Sequence, residues 1–585
     1  MTLHFLRSMF LSISPKTLIL AAAIPFMAVS YAGAQVVIAP NPPVIGSSNP
    51  VSAEPPIAHP ATPPCTVTLF TNLEFADFST KSYSYTPPKN CPGPWTKVVF
   101  KADFTVTAGR QFDRTAQFYL GGANIFFGTT AEPRAALSPS WHVESDLTDL
   151  SAIFHSAQTG TAILGNFVGV SDGVTYDGII YGNASLTFYQ QDRQDPAPTV
   201  PDVVIGIPGN GGAGTLNDTS SQLTQSVSLP TNIERAYLDV IAQSQSNDEF
   251  WYLCVPNDLT GPLESCGNSG FRETEISIDG TPAGVAPVYP WIYTGGIDVY
   301  LWEPIPGVQT LNFKPFRVDL TPFAGVLSDG KPHTVGLSVF NANSYFAATG
   351  NLLVYTDKNI KQVTGAILSN TLAAAPTPTV TNKILTDSTG SITGSVTVAS
   401  KRKYSIVGTA RTSHGLTTTT VTGSLSFANT QTFDIPSDGT AYKQDLKQST
   451  DGVISTTTIA GSGAKTYSEQ VIAYPFTFNF DEVVNADGTL TVHNASNQKY
   501  LVGSETPVAG QFAPFIAATL DEVISQDDLH YDASGNFTGH AGNSSANYVT
   551  GDSTGFCDSR ALTATNLVLT SDKSGAVCQE LFSKF

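Results

Sequence analysis

Short apolar or alternating runs, each closed by glycine, proline or an Asn/Asp turn, recur along nearly the whole chain. Such punctuation leaves no room for long helices. The runs begin with 66–70 (TVTLF), 95–100 (WTKVVF), 104–107 (FTVT) and 115–120 (TAQFYL), and continue with 140–143 (SWHV), 162–166 (AILGN) and 178–182 (GIIYG). A second series includes 202–207 (DVVIGI), 235–241 (RAYLDVI), 274–278 (TEISI), 333–339 (HTVGLSV) and 352–355 (LLVY). Beyond residue 379 the chain turns Thr-, Ser- and Gly-rich, with alternating runs such as 391–398 (SITGSVTV). The 49 glycines, 38 prolines and only 13% charged residues fit short strands joined by many turns. The expected fold class is all-β: two consecutive jelly-roll-like β-sandwiches followed by a further Ser/Thr/Gly-rich β region.

Composition shifts set the expected boundaries. A basic lead of Arg7 and Lys16 precedes the apolar run 18–29 (LILAAAIPFMAV), and Ala32-Gly33-Ala34 gives a small-x-small pattern before Gln35. This predicts a signal peptide over 1–34, because the run is short for a spanning helix and contains Pro25. The Pro- and Ala-rich stretch 35–64 reads as an extended linker rather than a packed element. The first sandwich is expected over 65–190, a polar linker over 191–201, the second sandwich over 202–370, a short linker over 371–378 and the C-terminal β region over 379–585. Within the first sandwich, 146–150 (DLTDL) reads as the start of a short helical turn with Asp146 as its N-cap.

A net charge of −19 argues against nucleic acid and anionic membranes as partners. Six cysteines fall as three local pairs, Cys65 with Cys91, Cys254 with Cys266 and Cys557 with Cys578. An even count in an exported chain suggests disulfides, although counting alone leaves the connectivity open. Zinc is the alternative, but there is no CxxC, and the nine histidines show no paired ligand spacing. The expectations are therefore no metal, no cofactor, a secreted or periplasmic location, no membrane attachment after signal cleavage, and a monomer.

Four stretches carry possible chemistry. In 109–133 (GRQFDRTAQFYLGGANIFFGTTAEP), Asp113 and Arg114 stand at the mouth of a strand, and Glu132 follows a Gly-Gly turn and a second apolar run. A hairpin that brought them together would bind a polar substrate; the bland alternative is a surface salt bridge. In 247–252 (NDEFWY), Asp248 and Glu249 adjoin Trp251, and burial against such rings raises a carboxyl pKa as acid-base catalysis requires. The alternative there is a polar loop pinned by a disulfide. The third stretch places Arg272 and Glu273 at a strand entry, where an edge ion pair is the plain reading. The fourth, 289–296 (YPWIYTGG) with Trp302 after it, offers Tyr293 and Trp302 as a sugar platform or as ordinary core. Two motifs are set aside. Gly169-Val170-Ser171-Asp172-Gly173 lacks the strand-turn-helix setting of a nucleophile elbow, and 461–466 (GSGAKT) lacks the glycine spacing of a phosphate loop.

With these residues in view, the chain resembles the peptide N-glycosidase A family of acid-active peptide:N-glycanases. The likeness rests on Cys65 with Cys91-Pro92, 95–99 (WTKVV), 109–114 (GRQFDR), 120–122 (LGG), 130–133 (TAEP), Trp141 with 146–148 (DLT), 247–252 (NDEFWY), 271–273 (FRE) and 293–297 (YTGGI). It covers residues 65 to about 370 and is thin past 375. A more distant likeness is to the bacterial F-type peptide N-glycosidase, through the aromatic-Asp-Arg triplet 112–114 and the lead 229–238 (LPTNIERAYL). The resemblance implies that both sandwiches form a catalytic module. That module would hydrolyse the amide bond between asparagine and the innermost N-acetylglucosamine of N-glycosylated peptides and glycoproteins. It further implies catalytic roles for Asp113 and Glu249. Substrate-binding roles are implied for Arg114, Glu132, Asp248, Trp251, Arg272, Glu273, Tyr293 and Trp302. Arg114 would hold Asp113 ionised. The F-type enzyme's third acid has no counterpart at 164–167 (LGNF), where Glu132 would compensate. Two other classes remain beside it: a secreted glycosidase cutting within the glycan, and a non-catalytic carbohydrate-binding sandwich protein.

Overall fold

A computed structural model of the chain describes residues 44–171, 173–507, 514–578 and 581. The expected signal peptide and the first part of the linker lie outside the described residues. The fold is all-β. The first sandwich pairs two four-stranded antiparallel sheets. One runs Cys65–Phe75, Ile180–Gln190, Trp95–Val106, Ser140–Asp146 across the sheet, and the other runs Lys81–Tyr85, Gln158–Leu164, Thr115–Leu120, Ala123–Thr129. Their inner faces meet on aromatic rings: Phe118, fully buried, touches Phe70, Phe100, Phe104 and Phe126. The helical turn expected after Asp146 is a 3-10 helix, Thr148–His155, and the Asp146 carboxylate accepts the Thr148 N–H at 3.0 Å.

The second sandwich repeats this topology. Val203–Ile207 and Gly214–Leu216 share one neighbour, Tyr345–Thr356, and count as a single interrupted strand. With strands numbered in chain order, leaving out the separate hairpin Gly169–Ser171 with Val174–Tyr176 of the first sandwich, both sandwiches have sheets in the order 1-8-3-6 and 2-7-4-5. The two are joined along a backbone seam. Thr129 N–H donates to Thr310 O at 2.9 Å, Phe313 N–H to Phe127 O at 2.8 Å, and the Thr294 hydroxyl to Thr130 O at 2.7 Å. Asn124 and Asn351 exchange side-chain-to-backbone bonds of 3.0 and 2.8 Å beside it. Glycine makes the approach possible: a Cβ on Gly128 would overlap the Leu311 carbonyl, and one on Gly206 would overlap that of Gly122.

Among the described residues the C-terminal region forms one 13-stranded antiparallel sheet, which also takes in Ile367–Asn370 from the stretch expected in the second sandwich. Ile392–Thr412 and Gly415–Ile435 each run 21 residues in unbroken register. Strict alternation gives the sheet one apolar face. Tyr404, Ile406, Val421, Leu425, Ile472 and Val523 on that face join a single core with the second sandwich. The Pro-rich stretch differs from the free linker expected of it. Its described part is extended but packed: Val51 and Ala53 enter the same core, Ile57 N–H donates to Glu144, and Gly46 N–H donates to Leu569 O of the C-terminal sheet. Proline prevents regular pairing without preventing burial, so an extended strap satisfies both. All three disulfides expected from the cysteine pairs are present.

The seam makes Gly128 intolerant of any side chain. Gly128→Ala is expected to lower stability by about 1–3 kcal/mol, read by thermal or denaturant unfolding. Gly261→Ala, with nothing within 4 Å of the added Cβ, is expected to leave it unchanged.

Candidate active site

The seam delivers two loops of the first sandwich to two loops of the second. Asp113 immediately precedes the strand Thr115–Leu120, and Glu132 follows its partner Ala123–Thr129. Strand pairing sets Thr115 opposite Thr129, so the residues just beyond them meet at one end of the sheet. There the Asp113 N–H donates to Glu132 Oε2 at 3.0 Å, and the Arg114 N–H to the Thr130 hydroxyl at 2.9 Å. From the second sandwich comes Gly295, whose N–H donates to Asp113 Oδ2 at 3.3 Å. Gly295 has no freedom to be another residue, because a Cβ there would overlap Glu132 Oε2. Glu249 comes from the same sandwich, between the 3-10 turns Ser246–Asp248 and Trp251–Leu253. The three carboxyl groups named from sequence, Asp113, Glu132 and Glu249, are thus gathered at the junction.

Their electrostatics follow from burial and from one another. Burial raises Asp113 above the usual carboxylate range; the Gly295 N–H and the Arg114 charge oppose that rise. Burial and then the Asp113 charge push Glu132 up to about 8, against the Asp113 N–H and both Arg114 and Arg110. Burial, Asp113 and Glu132 all act in one direction on Glu249, also to about 8. All three carboxyls are pushed up by burial; at Asp113 the Gly295 N–H and the Arg114 charge oppose the rise, while at Glu249 burial and both neighbouring carboxyls act together.

The Arg114 charge favours the ionised form of Asp113, as expected, but without a bond to the carboxylate. Its guanidinium donates to the Asp113 backbone carbonyl at 2.8 Å and lies 4.6 Å over the Phe112 ring. Phe112 is 39% exposed, stacks near Tyr176 at 4.6 Å, and has Arg110 close to the same tyrosine. This exposed aromatic and cationic rim beside Asp113 escaped the sequence reading, because Tyr176 sits in the hairpin Gly169–Ser171 with Val174–Tyr176, far from the acids in sequence. The same hairpin places Ser171 in a two-stranded turn rather than a nucleophile elbow.

Several expected substrate-binding residues are corrected. Asp248 is fully buried: Oδ1 accepts from Arg272 Nε at 3.0 Å and forms an ion pair with Nη2 at 2.9 Å, while Oδ2 accepts from the N–H groups of Asn343 and Ser344. Arg272, also buried, donates through Nη1 to the Asn268, Ser269 and Phe271 carbonyls. The pair anchors the Glu249 loop and presents nothing to a ligand. Trp251 packs on Tyr252 and Phe427 in the core. Glu273 faces Arg402 of the C-terminal sheet, and its pKa is pushed up to about 7 by burial. Tyr293 lies beneath the site, its hydroxyl bonded to Ser244 O, and Trp302 Nε1 donates to Gly296 O at 2.9 Å, fixing the loop that carries Gly295. Apolar area drives such rings inward unless the fold leaves a surface for them. Asn166, at the position of the missing third acid, is buried and donates to Phe75 O and Gly178 O. A cavity of about 880 Å³ lies elsewhere, between the strap, His142 and Arg560, and none of the three acids lines it.

The raised carboxyls imply a pH dependence of stability. A glutamate whose folded pKa stands above its unfolded value releases its proton more readily when unfolded. Stability associated with Glu132 and Glu249 is therefore full below about 4.5 and declines as pH rises to about 8. Thermal unfolding of Glu249→Gln, compared with the parent chain at pH 5 and pH 8, is expected to show a smaller loss on going to the higher pH.

Residues 50–373 match the family described as peptide N-acetyl-beta-D-glucosaminyl asparaginase amidase A. The peptide-N4-(N-acetyl-beta-glucosaminyl)asparagine amidase A of Prunus dulcis is 30% identical over 388 residues, which is 62% of this chain and 66% of that protein. The chain thus spans a little under two thirds of that relative's length. Among solved structures, PNGase F, a glycosylasparaginase from Flavobacterium meningosepticum, is 13% identical with a TM-score of 0.33, over 50% of this chain and 96% of that one. PNGF-II is 13% identical with a TM-score of 0.34, over 50% of this chain and 66% of that one. With the family match extending across both sandwiches and through Asp113, Glu132, Glu249 and Gly295, the chain belongs to the peptide N-acetyl-beta-D-glucosaminyl asparaginase amidase A family.

Proposed function

We propose that the chain hydrolyses the amide bond between asparagine and the innermost N-acetylglucosamine of N-glycosylated peptides and glycoproteins. The observation that carries this reading is the meeting of Asp113, Glu132 and Glu249 across the seam, with Asp113 alone held by an N–H of the opposite sandwich. Asp113, ionised, takes a proton from water as its oxygen attacks the amide carbonyl carbon. Glu249, protonated, delivers a proton to the amide nitrogen as the carbon–nitrogen bond breaks. Asparagine becomes aspartate, and the glycan leaves as a glycosylamine. Glu132 accepts the Asp113 N–H and so holds that backbone, while burial and then the Asp113 charge keep Glu249 protonated. Arg114, Phe112 and Tyr176 line the rim that meets the sugars and the peptide. No step requires a metal or an organic cofactor.

The three disulfides support a secreted or periplasmic location, since such bonds persist in oxidising compartments. The relative from Prunus dulcis is named for the same amide cleavage.

Mass spectrometry of a treated glycopeptide tests the reading. Amidase action leaves aspartate and no sugar at the glycosylated position; a residual N-acetylglucosamine on asparagine would instead identify a glycosidase. Asp113→Asn is expected to reduce release by about 10²–10⁴-fold with unchanged thermal unfolding at acid pH; full activity would remove Asp113 from the reaction. Activity is also expected to fall as pH rises through about 8, where Glu249 loses its proton, and a pH–rate profile reads this directly.

A further inference from the structure

We propose that the C-terminal sheet, whose strands from Thr379 onward lie beyond the family match, sets the position of the two loops that carry Glu249 and Gly295. It does so through amide side chains buried on its inner face. The inference rests on the reading of those residues as the reaction site.

The two loops have the same physical problem. Between Thr281–Pro287 and Phe316–Asp319 the chain forms no strand, so its backbone polar groups must find partners outside regular pairing. The segment holding Glu249, between Ile233–Gln245 and Glu273–Ile278, is likewise without strands. Amides from the sheet meet this need. Gln498, fully buried, donates through Nε2 to Pro290 O at 2.7 Å and accepts the Val308 N–H through Oε1 at 3.1 Å. One side chain thereby clamps both ends of the loop that contains Gly295. Asn494, four residues earlier and so on the same face, donates to Asp298 Oδ2 at 3.0 Å, and Asp298 Oδ1 accepts the Tyr300 N–H.

Under the other loop, Asn429 donates to Tyr252 O at 2.8 Å and Gln431 to Cys254 O at 2.9 Å. Gln444 and Gln448 on the next strand brace this pair: Gln444 donates to Gln431 Oε1 at 2.7 Å, and Asn429 donates to Gln448 Oε1 at 2.9 Å. Asn429, Gln431, Asn494 and Gln498 are each no more than 1% exposed. A buried amide is costly where its bonds are unmade, and a hydrocarbon side chain would dock the sheet more simply. Hydrocarbon from the sheet packs here too: Phe427, Phe476 and Phe478 share a cluster with Trp251, Tyr252 and Trp302 of the loops. The amides stand among these rings, where directional bonds fix the position of the backbone and apolar contact alone does not.

The test uses the full chain in three variants. Gln498→Leu and Gln431→Leu remove the amide bonds under each loop. Thr456→Val removes a different bond between the sheet and the sandwich, from the Thr456 hydroxyl to Asp319 Oδ2. Amide hydrogen exchange is measured by mass spectrometry together with kcat and KM for one glycopeptide. The expected result is faster exchange over 290–308 in Gln498→Leu and over 249–255 in Gln431→Leu, with kcat lowered about 10–100-fold and KM nearly unchanged. Thr456→Val is expected to leave exchange in both segments and kcat as in the parent. Exchange in the two loops matching that of Thr456→Val would overturn the inference, as would parental kcat in both leucine variants. Exchange reads loop position whether or not the parent cleaves glycopeptides, so a parent chain that releases no glycan would sink the proposed function and leave the loop measurement to decide this one.

Discussion

Everything at the site depends on a backbone seam a few residues long. The strand Ala123–Thr129 meets residues 310–313 of the second sandwich through main-chain bonds at Phe127 and Thr129. Main-chain bonds of this kind need the two chains within about 3 Å between heavy atoms, and a side chain at Gly128 would prevent it. Once the seam is closed, the residues just past it are committed. Thr130 meets Thr294, Glu132 meets Gly295, and Arg134 meets Glu303, whose carboxylate accepts the Arg134 N–H at 3.2 Å. Two sandwiches with identical strand order become one molecule with a single acid cluster at their junction.

That cluster is unstable by itself. Three carboxyls in a partly buried space repel when ionised, and the fold resolves the conflict by treating them differently. Asp113 receives a backbone N–H from across the seam, Glu132 receives one from Asp113, and among the described residues no group favours the Glu249 charge. Protons then distribute themselves by environment, which is how identical functional groups take different chemical roles. A second buried acid behaves oppositely. Asp248 stands next to Glu249 in sequence, yet it is paired with Arg272 and with two backbone N–H groups, and it serves as the loop's anchor. Removing either partner of such a pair leaves an uncompensated buried charge, so the anchor is as constrained as the reacting groups.

The C-terminal sheet extends the same logic outward. Its long strands need the second sandwich to cover their apolar face, and the sandwich's irregular loops need partners for their backbone. Each side supplies what the other lacks, through shared apolar clusters and through amides bonded to the loop backbone. The strap from residue 44 onward closes the arrangement by touching the first sandwich, the second sandwich and the sheet in turn.

The alternation of short runs is legible in the sequence and determines the all-β class and the two sandwiches, and the local spacing of the cysteines suggests their pairs, because strand periodicity and short disulfide loops are written in near neighbours. Asp113, Glu132 and Glu249 were legible too, as charges placed where strands end. What the chain order concealed was orientation. Asp248 and Glu249, or Trp251 and Phe112, are indistinguishable as residue types beside a possible groove; only the packed fold decides which faces solvent and which is enclosed. Gly295 was hidden for a further reason: its contribution is an N–H and the absence of a side chain, neither of which composition reveals. Nor does sequence show that Arg114 would turn to a backbone carbonyl, or that an alternating Ser/Thr-rich sheet would reach under loops more than a hundred residues away. Periodicity is a local property and the sequence determines it; the approach of distant backbones and the burial of charge are collective, and the tertiary structure alone decides them.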